Sequence, residues 1–181
     1  MTTWQRLGNG SGERRLCIAM NRWAGRHALR RLFGLISRLG DGVFWYALMA
    51  LLILLGGTRG AIAAAHMALT GLVAAAMYRG LKRWTRRPRP FRSHDDIVAY
   101  VAPLDEFSFP SGHTLHAVSF SLIALAYFPM LAPALLPFTV LVAMSRVVLG
   151  LHYPSDVLAA TLIGCGLGCV SLWLAPVAAW A

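Results

Sequence analysis

Two apolar runs decide the fold of this chain: "VFWYALMALLILLGG" (43–57) and "GAIAAAHMALTGLVAAAMY" (60–78). Seventeen uncharged residues separate Asp41 from Arg59, and nineteen more separate Arg59 from Arg79. A helix that crosses the hydrocarbon core of a membrane needs about 17–25 mostly apolar residues. Runs of this length are not solvated strands, because backbone groups in lipid must be hydrogen-bonded within the segment. Each run therefore predicts one transmembrane helix.

The C-terminal half contains uncharged stretches of similar or greater length. Residues 107–145 include no Asp, Glu, Lys or Arg, which is enough for two spans joined by the turn "FPMLAP" (128–133). Residues 157–181 form a further uncharged run. Together with the first two runs, the pattern predicts five transmembrane helices, at about 42–57, 60–80, 111–128, 133–149 and 156–175.

The composition also indicates a membrane protein. Of the 181 residues, 57% are hydrophobic and 13% are charged, whereas soluble domains have about 25% charged residues. The chain has 17 Lys and Arg against 7 Asp and Glu, a net charge of +10. In a chain this apolar, the positive excess indicates membrane lipid headgroups or phosphate as partners. We expect neither nucleic acid nor an obligate protein partner.

The first forty residues differ from the rest of the chain. Arg22, Arg26 and Arg30 recur at helical spacing opposite an apolar stripe that includes Leu16 and Met20. Too many charges interrupt this segment for it to span, and the pattern is typical of a helix that lies on the membrane surface. The sequence thus predicts an all-α integral membrane bundle of about five transmembrane helices (domain 41–181) with a basic amphipathic N-terminal segment (1–40).

Three motifs carry polar residues at the ends of the predicted spans: "KRWTRRPRP" (82–90), "PSGH" (110–113) and "SRVVLGLHYPSD" (145–156). The first follows the second span, the second opens the third span, and the last joins the fourth span to the fifth. In an up-and-down bundle, these ends all lie on one membrane face. We therefore expect the following side chains to converge: Lys82, Arg89, Ser111, Gly112, His113, Arg146, His152 and Asp156.

The cationic part of this set suits a phosphate. Arg89 and Arg146 offer paired hydrogen bonds to a tetrahedral oxyanion, and Lys82 adds a further positive charge. The N-terminus of a helix that begins near Ser111 presents unpaired N–H groups to an anion. Ser111 can cap this helix and donate its hydroxyl, and Gly112 lets the backbone approach a ligand closely.

The histidines and the aspartate indicate chemistry on that phosphate. His152 lies four residues before Asp156, so a carboxylate bound to one ring nitrogen would leave the other as a nucleophile. His113 could then protonate the leaving oxygen as a general acid. No cage of Mg²⁺ ligands is visible in the sequence, and we expect a reaction without a metal ion or other cofactor.

These motifs resemble the signature of the type 2 phosphatidic acid phosphatase (PAP2) superfamily, which also includes vanadium-dependent haloperoxidases. The signature is Lys-x6-Arg-Pro, then Pro-Ser-Gly-His, then Ser-Arg-x5-His-x3-Asp, and every position is present in this order. The resemblance covers residues from about 40 to 175. It implies a small bacterial-type membrane phosphatase that removes phosphate from a lipid through a phosphohistidine intermediate, without a metal ion.

The resemblance also implies a role for each signature residue. His152 is the nucleophile, Asp156 is its partner, and His113 is the acid that later acts as the base for water. The phosphate-binding residues are Lys82, Arg89, Ser111, Gly112 and Arg146.

Several substrates and two other functions stay open. Phosphatidic acid, phosphatidylglycerophosphate and polyprenyl phosphates or diphosphates all fit, with an undecaprenyl-diphosphate phosphatase as the specific alternative. The two other functions are a haloperoxidase that holds vanadate in the same pocket and a non-enzymatic protein that binds anionic lipids.

The distribution of charge predicts the sidedness of the protein. Sixteen of the seventeen basic residues lie on the motif side of the predicted bundle, and Arg59 alone lies on the other side. Because positive residues mark the cytoplasmic face, we expect an active site that faces the cytoplasm, on the same side as the N-terminus, in a bacterial inner membrane. A periplasmic site is the alternative.

The remaining polar residues near the motifs have less specific predictions. Headgroup contact is the favoured role of four arginines: Arg83, Arg86, Arg87 and Arg92. His116 is expected to pack, with pocket lining as the alternative, and His66 is equally suited to a structural or a functional role. A solvated loop, with headgroup selection as the alternative, is expected of four acidic residues: Asp95, Asp96, Asp105 and Glu106.

Overall fold

The computed structural model describes residues 11–175, and within this range the chain is helical and contains no β-strand. The predicted all-α fold is therefore confirmed. The helices are α1 (Ser11–Asn21), α2 (His27–Arg38), α3 (Phe44–Thr85), α4 (Pro90–Ser93), α5 (Gly112–Tyr127), α6 (Ala132–Val148) and α7 (Pro154–Leu174).

Helix α3 is a hairpin of two membrane helices rather than one rod. Gly57 interrupts it with a backbone conformation (φ 56°, ψ −140°) that glycine adopts without strain. The chain folds back there so sharply that a Cβ atom on Gly60 would overlap the carbonyl oxygen of Leu52. Trp45 in the first arm and Gly71 in the second arm both face the ring of Phe120. The arms, 44–56 and 58–85, therefore run antiparallel and match the first two predicted spans.

Three helical stretches of the described chain are long and apolar enough to cross a membrane: His27–Ser93, Pro129–Val148 and Pro154–Leu174. The first contains the α3 hairpin, so it accounts for two spans. Helix α5 has only 16 residues, but it is the most buried helix of the bundle and contacts α3, α6 and α7. The five predicted spans are thus the two arms of α3 together with α5, α6 and α7, and the protein is an integral membrane protein.

The N-terminal segment forms two helices, where the sequence predicted one. A short 3₁₀ turn (Arg22–Gly25) ends α1, and Arg26 is extended (φ −81°, ψ 120°) before α2 begins. Cys17 of α1 packs against the loops around the motif residues, and Phe33 and Ile36 of α2 belong to the core of the bundle. A turn of π-helix (Leu39–Val43) then leads into α3.

Asn21 ties this N-terminal segment to the loop before α5 and to the end of α6. Its amide nitrogen donates to the carbonyl oxygens of Val98 and Val148 at 2.9 and 3.0 Å, and its amide oxygen accepts from the Val98 N–H at 3.0 Å. Gly150 lies beside it in a left-handed conformation (φ 76°), where a Cβ atom would overlap the Val98 carbonyl oxygen. A side chain of α1 thus fixes the loop that leads to "PSGH".

Candidate active site

A cavity of about 950 Å³ opens at the motif end of the bundle. Its wall is formed by residues of α3, α5 and α6, of the loop before α7, and of the N-terminal segment. Six of the eight predicted site residues line it: Lys82, Arg89, Gly112, His113, Arg146 and His152. The other two, Ser111 and Asp156, lie behind this wall and are fully buried.

His152 lies at the centre of the wall, in the turn that Gly150 makes possible. Its Nε2 is 3.2 Å from a guanidinium nitrogen of Arg89, which can only donate, so Nε2 is the acceptor and carries the lone pair. Its Nδ1 is 3.7 Å from Oδ2 of Asp156, longer than a hydrogen bond, and has no hydrogen-bond partner among residues 11–175. Such contacts are often long in a site without substrate and tighten when it binds. With Nε2 as the acceptor, Nδ1 of His152 carries the proton, and this nitrogen is the one that faces Asp156.

Burial and nearby cations keep His152 uncharged. Removal of the ring from water lowers its pKa well below the usual value of 6.5, and the positive charges of Arg89, Arg146 and Lys82 lower it further. The imidazole is therefore neutral at neutral pH, which is the state that a nucleophile requires.

Arg87 holds Asp156 from behind, and the headgroup role predicted for this arginine is wrong. Its side chain is buried, and Nη1 donates to Oδ1 of Asp156 at 2.7 Å while Nη2 donates to Glu13 at 3.0 Å. The guanidinium lies over the ring of Tyr153, 4.1 Å from its centroid. Oδ2 of Asp156 accepts from the Tyr153 N–H at 2.8 Å. The carboxylate beside His152 is thus fixed on both oxygens.

The other three arginines of that group behave differently. Arg83, Arg86 and Arg92 are exposed at the motif end, as the headgroup prediction requires, and their contact with lipid stays a prediction.

Asp105 occupies the space between two of the predicted phosphate ligands. Lys82 donates to both of its carboxylate oxygens at 2.7 Å, and Arg89 donates to Oδ1 at 2.8 Å. Burial alone would raise the pKa of this carboxyl group, but the bonded Lys82 and Arg89 outweigh it and lower the pKa. Asp105 is exposed in a loop, as expected, but its carboxylate is also bonded to two cations of the cavity wall. Asp95 is exposed, and Asp96 and Glu106 pair with the exposed arginines Arg14 and Arg92.

Arg146 projects from the end of α6 toward the same cavity and is almost completely buried. One terminal nitrogen donates to the hydroxyl of Ser37 in α2. Its Nε is buried and has no partner within the described part of the chain. Buried donors are normally satisfied, so this N–H is available to an oxyanion in the cavity.

The residues at the start of α5 form another part of the cavity wall. Ser111 caps the helix, accepts from the Thr114 N–H at 3.4 Å and shares a hydrogen bond with the Thr114 hydroxyl at 2.9 Å, so its side chain points away from the cavity. Gly112 faces the cavity beside the ring of Tyr78. His113 lines the cavity, and its Nε2 contacts Oδ1 of Asp41.

The two histidines left open by the sequence have different surroundings. His116 lines the cavity, with Nδ1 2.9 Å from the carbonyl oxygen of Gly112 and Nε2 3.2 Å from that of Gly71. His66 is buried at the far end of the bundle, where its ring nitrogens meet Tyr127 at 3.1 Å and Ser171 at 2.5 Å. It links α3, α5 and α7, as a structural histidine does.

Sequence reasoning missed the contribution to the site of the chain that precedes α3. Glu13 bonds to Arg87, Ser37 bonds to Arg146, and Asp41 contacts His113. No motif marks these residues, because each contacts a partner more than 70 positions away. The only signal was that Asp41 ends the charged segment directly before the first span.

The bundle and the cavity define a class: an integral membrane protein with a buried histidine and three buried cationic side chains around one pocket at a membrane face. A family model described as the PAP2 superfamily matches residues 59–180. The chain belongs to the PAP2 superfamily.

Characterised relatives are lipid phosphatases. A decaprenylphosphoryl-5-phosphoribose phosphatase of Mycolicibacterium smegmatis is 42% identical over 77 residues, which are 42% of this chain and 41% of the relative. Phosphatidylglycerophosphatase B of Escherichia coli is 40% identical over 77 residues, which are 38% of this chain and 29% of the relative. The chain therefore spans less than half the length of these relatives. The crystal structure of Aquifex aeolicus LpxE superposes with a TM-score of 0.75 at 26% identity and covers 87% of this chain and 93% of that one.

Proposed function

We propose that this protein is a phosphatase that removes phosphate from a membrane lipid by way of a phosphohistidine. The observation that carries the proposal is a single cavity with two chemically different halves. One half holds His152, His113 and the cations Lys82, Arg89 and Arg146. The other half is apolar and continues along the arms of α3, where it is lined by Trp45, Met49, Leu72 and Phe120.

The apolar half suits the hydrocarbon part of a lipid. Phe120 lies seven residues beyond His113 in α5, so this wall extends about 10 Å below the catalytic end, at 1.5 Å per residue. Leu72, on the second arm of α3, is also largely exposed on the outside of the bundle, where membrane lipid is expected. A substrate whose phosphate lies among the cations can thus keep its chain in contact with both protein and bilayer.

In the first step, Nε2 of His152 attacks phosphorus while the bond from phosphorus to the lipid oxygen breaks. His113 gives its proton to that leaving oxygen, and the lipid alcohol departs. The P–N bond that forms yields a phosphohistidine, and Asp156 stabilises the positive charge that develops on the ring. Lys82, Arg89 and Arg146 hold the three remaining phosphate oxygens, where negative charge is spread in the transition state.

In the second step, His113 takes a proton from water, and the water oxygen attacks phosphorus. The P–N bond breaks, inorganic phosphate leaves, and the imidazole of His152 returns to its neutral state. The N–H groups at the start of α5 and the small Gly112 allow close approach of the phosphate. Within residues 11–175, no group of three or more His, Cys, Asp or Glu side chains is placed to hold a metal ion. A metal-independent reaction stays part of the proposal.

We propose the class of the substrate, which is a lipid phosphate. The names of the relatives cover two different lipid classes, a polyprenyl sugar phosphate and a glycerophospholipid phosphate. We include phosphatidic acid, phosphatidylglycerophosphate and polyprenyl phosphates or diphosphates, with undecaprenyl diphosphate as the specific alternative.

The location is proposed as a bacterial inner membrane with the cavity facing the cytoplasm. The described N-terminal helices contact the motif end, through Glu13 on Arg87 and Ser37 on Arg146, so their arginines lie on the same side as the cavity. A reporter fused to the C-terminus and active only outside the cytoplasm should be active. Activity of a reporter that works only in the cytoplasm would favour a periplasmic cavity.

The deciding experiment measures phosphate release by the purified protein from a panel of these lipids in detergent with EDTA present. We expect release by the wild type and none by His152→Ala, with equal binding of both proteins to vesicles of anionic lipid. Loss of release with EDTA would contradict the metal-independent step. Equal vesicle binding without phosphate release from any substrate would indicate a lipid-binding protein, and halide oxidation with added vanadate would indicate a haloperoxidase.

A further inference from the structure

We infer that Asp41 is a positioning residue for His113, so that the general acid has its own carboxylate, supplied by the turn directly before α3. This inference rests on the proposed function, because it concerns the histidine that gives a proton to the leaving oxygen. Asp41 lies outside residues 59–180, which match the family model, and outside all three signature motifs.

The contact joins two different parts of the chain. Oδ1 of Asp41 meets Nε2 of His113, which belongs to the first turn of α5. Both side chains line the catalytic cavity. A carboxylate can only accept at neutral pH, so Nε2 carries a proton that it donates to Asp41. The other ring nitrogen, Nδ1, is then the atom that exchanges a proton with the substrate oxygen and later with water.

The backbone around Asp41 holds it in this position. It lies in the turn Leu39–Val43, next to Gly42, whose backbone (φ 139°) kinks the chain directly before the arm of α3 that begins with Phe44. Gly40 packs so closely that a Cβ atom would lie 3.2 Å from Val142 and 3.8 Å from the ring of His113. Trp45, in the following turn, is buried against Phe120 and Phe138. The carboxylate therefore projects from a packed segment.

The charges around His113 explain why this position needs a carboxylate. Arg146 approaches the ring from α6 and Lys82 from α3, and both side chains are positively charged. His152 lies across the cavity and is neutral. Asp105 is bonded to Lys82 and Arg89, away from the ring. The charge of Asp41 opposes that of the two cations at the ring of His113.

The test compares two substrates that depend differently on the acid. A lipid phosphomonoester leaves as an alkoxide that must be protonated, whereas p-nitrophenyl phosphate leaves as a stable phenolate that needs little help. The measured quantity is kcat/KM, which covers the steps up to the first P–O cleavage and excludes the hydrolysis that both substrates share. For Asp41→Asn we expect kcat/KM to fall on the order of 10- to 100-fold with the lipid and less than about threefold with p-nitrophenyl phosphate.

Two further variants control for folding and for charge. Asp41→Glu should restore part of the lipid activity, because it returns a carboxylate to the turn. Asp95→Asn removes an acidic residue from an exposed loop position and should leave both substrates unchanged. Thermal unfolding of each variant in the same detergent checks that the bundle is intact.

An equal loss with both substrates, or no loss with the lipid, would overturn the inference about Asp41. The failure of the proposed function has a different outcome, since the wild type would then release no phosphate from any lipid. If Asp41→Asn does not fold, the same comparison is made with Asp41→Ser, for which a loss confined to the lipid substrate supports the inference and an equal or absent loss overturns it.

Discussion

Two histidine–carboxylate pairs face one cavity, and they are built in opposite ways. His152 and Asp156 lie four residues apart at the start of α7, and both side chains are almost fully excluded from solvent. His113 and Asp41 are 72 positions apart, and their side chains are 10% and 34% exposed. Local chain geometry thus sets the first pair, while tertiary packing of the N-terminal segment sets the second. A nucleophile needs one fixed orientation, whereas an acid that exchanges protons with substrate and water needs access to both.

The largest difference is expected from removal of each histidine. His152→Gln eliminates the atom that bonds to phosphorus and should reduce kcat on the order of 10⁴-fold or more. His113→Gln leaves the nucleophile in place and should reduce kcat/KM for lipid by about 10²- to 10⁴-fold. Release of inorganic phosphate from a lipid phosphate measures both. Activity of His152→Gln within tenfold of the wild type would exclude His152 as the nucleophile.

The buried ion pair between Arg87 and Asp156 should contribute to the free energy of unfolding. Arg87→Met leaves the Asp156 carboxylate buried without its ion pair, and loss of one partner of such a pair costs about 3–5 kcal/mol. The matched control is Arg92→Met, because Arg92 pairs with Glu106 at the surface, where a salt bridge contributes about 0–1 kcal/mol. Thermal or denaturant unfolding in detergent measures the difference. Equal effects of the two substitutions would contradict a structural role of Arg87 behind His152.

A smaller effect is expected from the carboxylate that lies between the two pairs. Asp105 holds Lys82 and Arg89, so in the proposed mechanism a substrate phosphate takes its place on these cations. Asp105→Asn should therefore tighten competitive inhibition by inorganic phosphate by about tenfold, equivalent to ~1.4 kcal/mol. Glu106→Gln is the neighbouring control and should leave inhibition unchanged. Weaker inhibition in Asp105→Asn would show instead that this carboxylate helps to arrange the cations.

The smallest effect concerns pH. Because burial and the nearby cations lower the pKa of His152 below 6.5, its ring loses its proton at a lower pH than a free histidine. The neutral nucleophile is present above that pKa and is lost as the pH falls through it. The acid limb of kcat/KM, which reports the free enzyme, should thus lie below pH 6.5. An acid limb above pH 6.5 would contradict this assignment.

The membrane architecture could be predicted because a helix that crosses lipid must consist of mostly apolar, uncharged residues. Gaps between charges located all five spans, and the parity of the spans predicted that the three motifs share one end. The break at Gly57 falls where the first span was predicted to end. The division between α1 and α2 was not foreseen, since it depends on a backbone conformation that apolar periodicity does not encode. For the same reason, the short α5 could be placed but its central burial could not be inferred.

The site residues could be predicted only where the chain matches the spacing of the PAP2 signature motifs. The geometry brings six signature residues to one cavity wall, and their chemical roles stay predictions. Arg87 was misjudged because charged residues at a helix end are usually solvated, and nothing local marks a buried partner. The exposed loop position of Asp105 was predicted, but its bonds to Lys82 and Arg89 were not. Asp41 was missed because its partner is 72 residues away, in a pairing that only the packed structure creates.

The three hydrogen bonds of Asn21 have a consequence for local unfolding. The N–H of Val98 bonds to a side chain of α1 and not to a helix carbonyl, so its protection against hydrogen exchange depends on whether α1 is docked. The same amide lies seven residues before Asp105, in the loop that enters the cavity. We therefore expect the exchange rate of the Val98 amide to report how often α1 undocks from this loop.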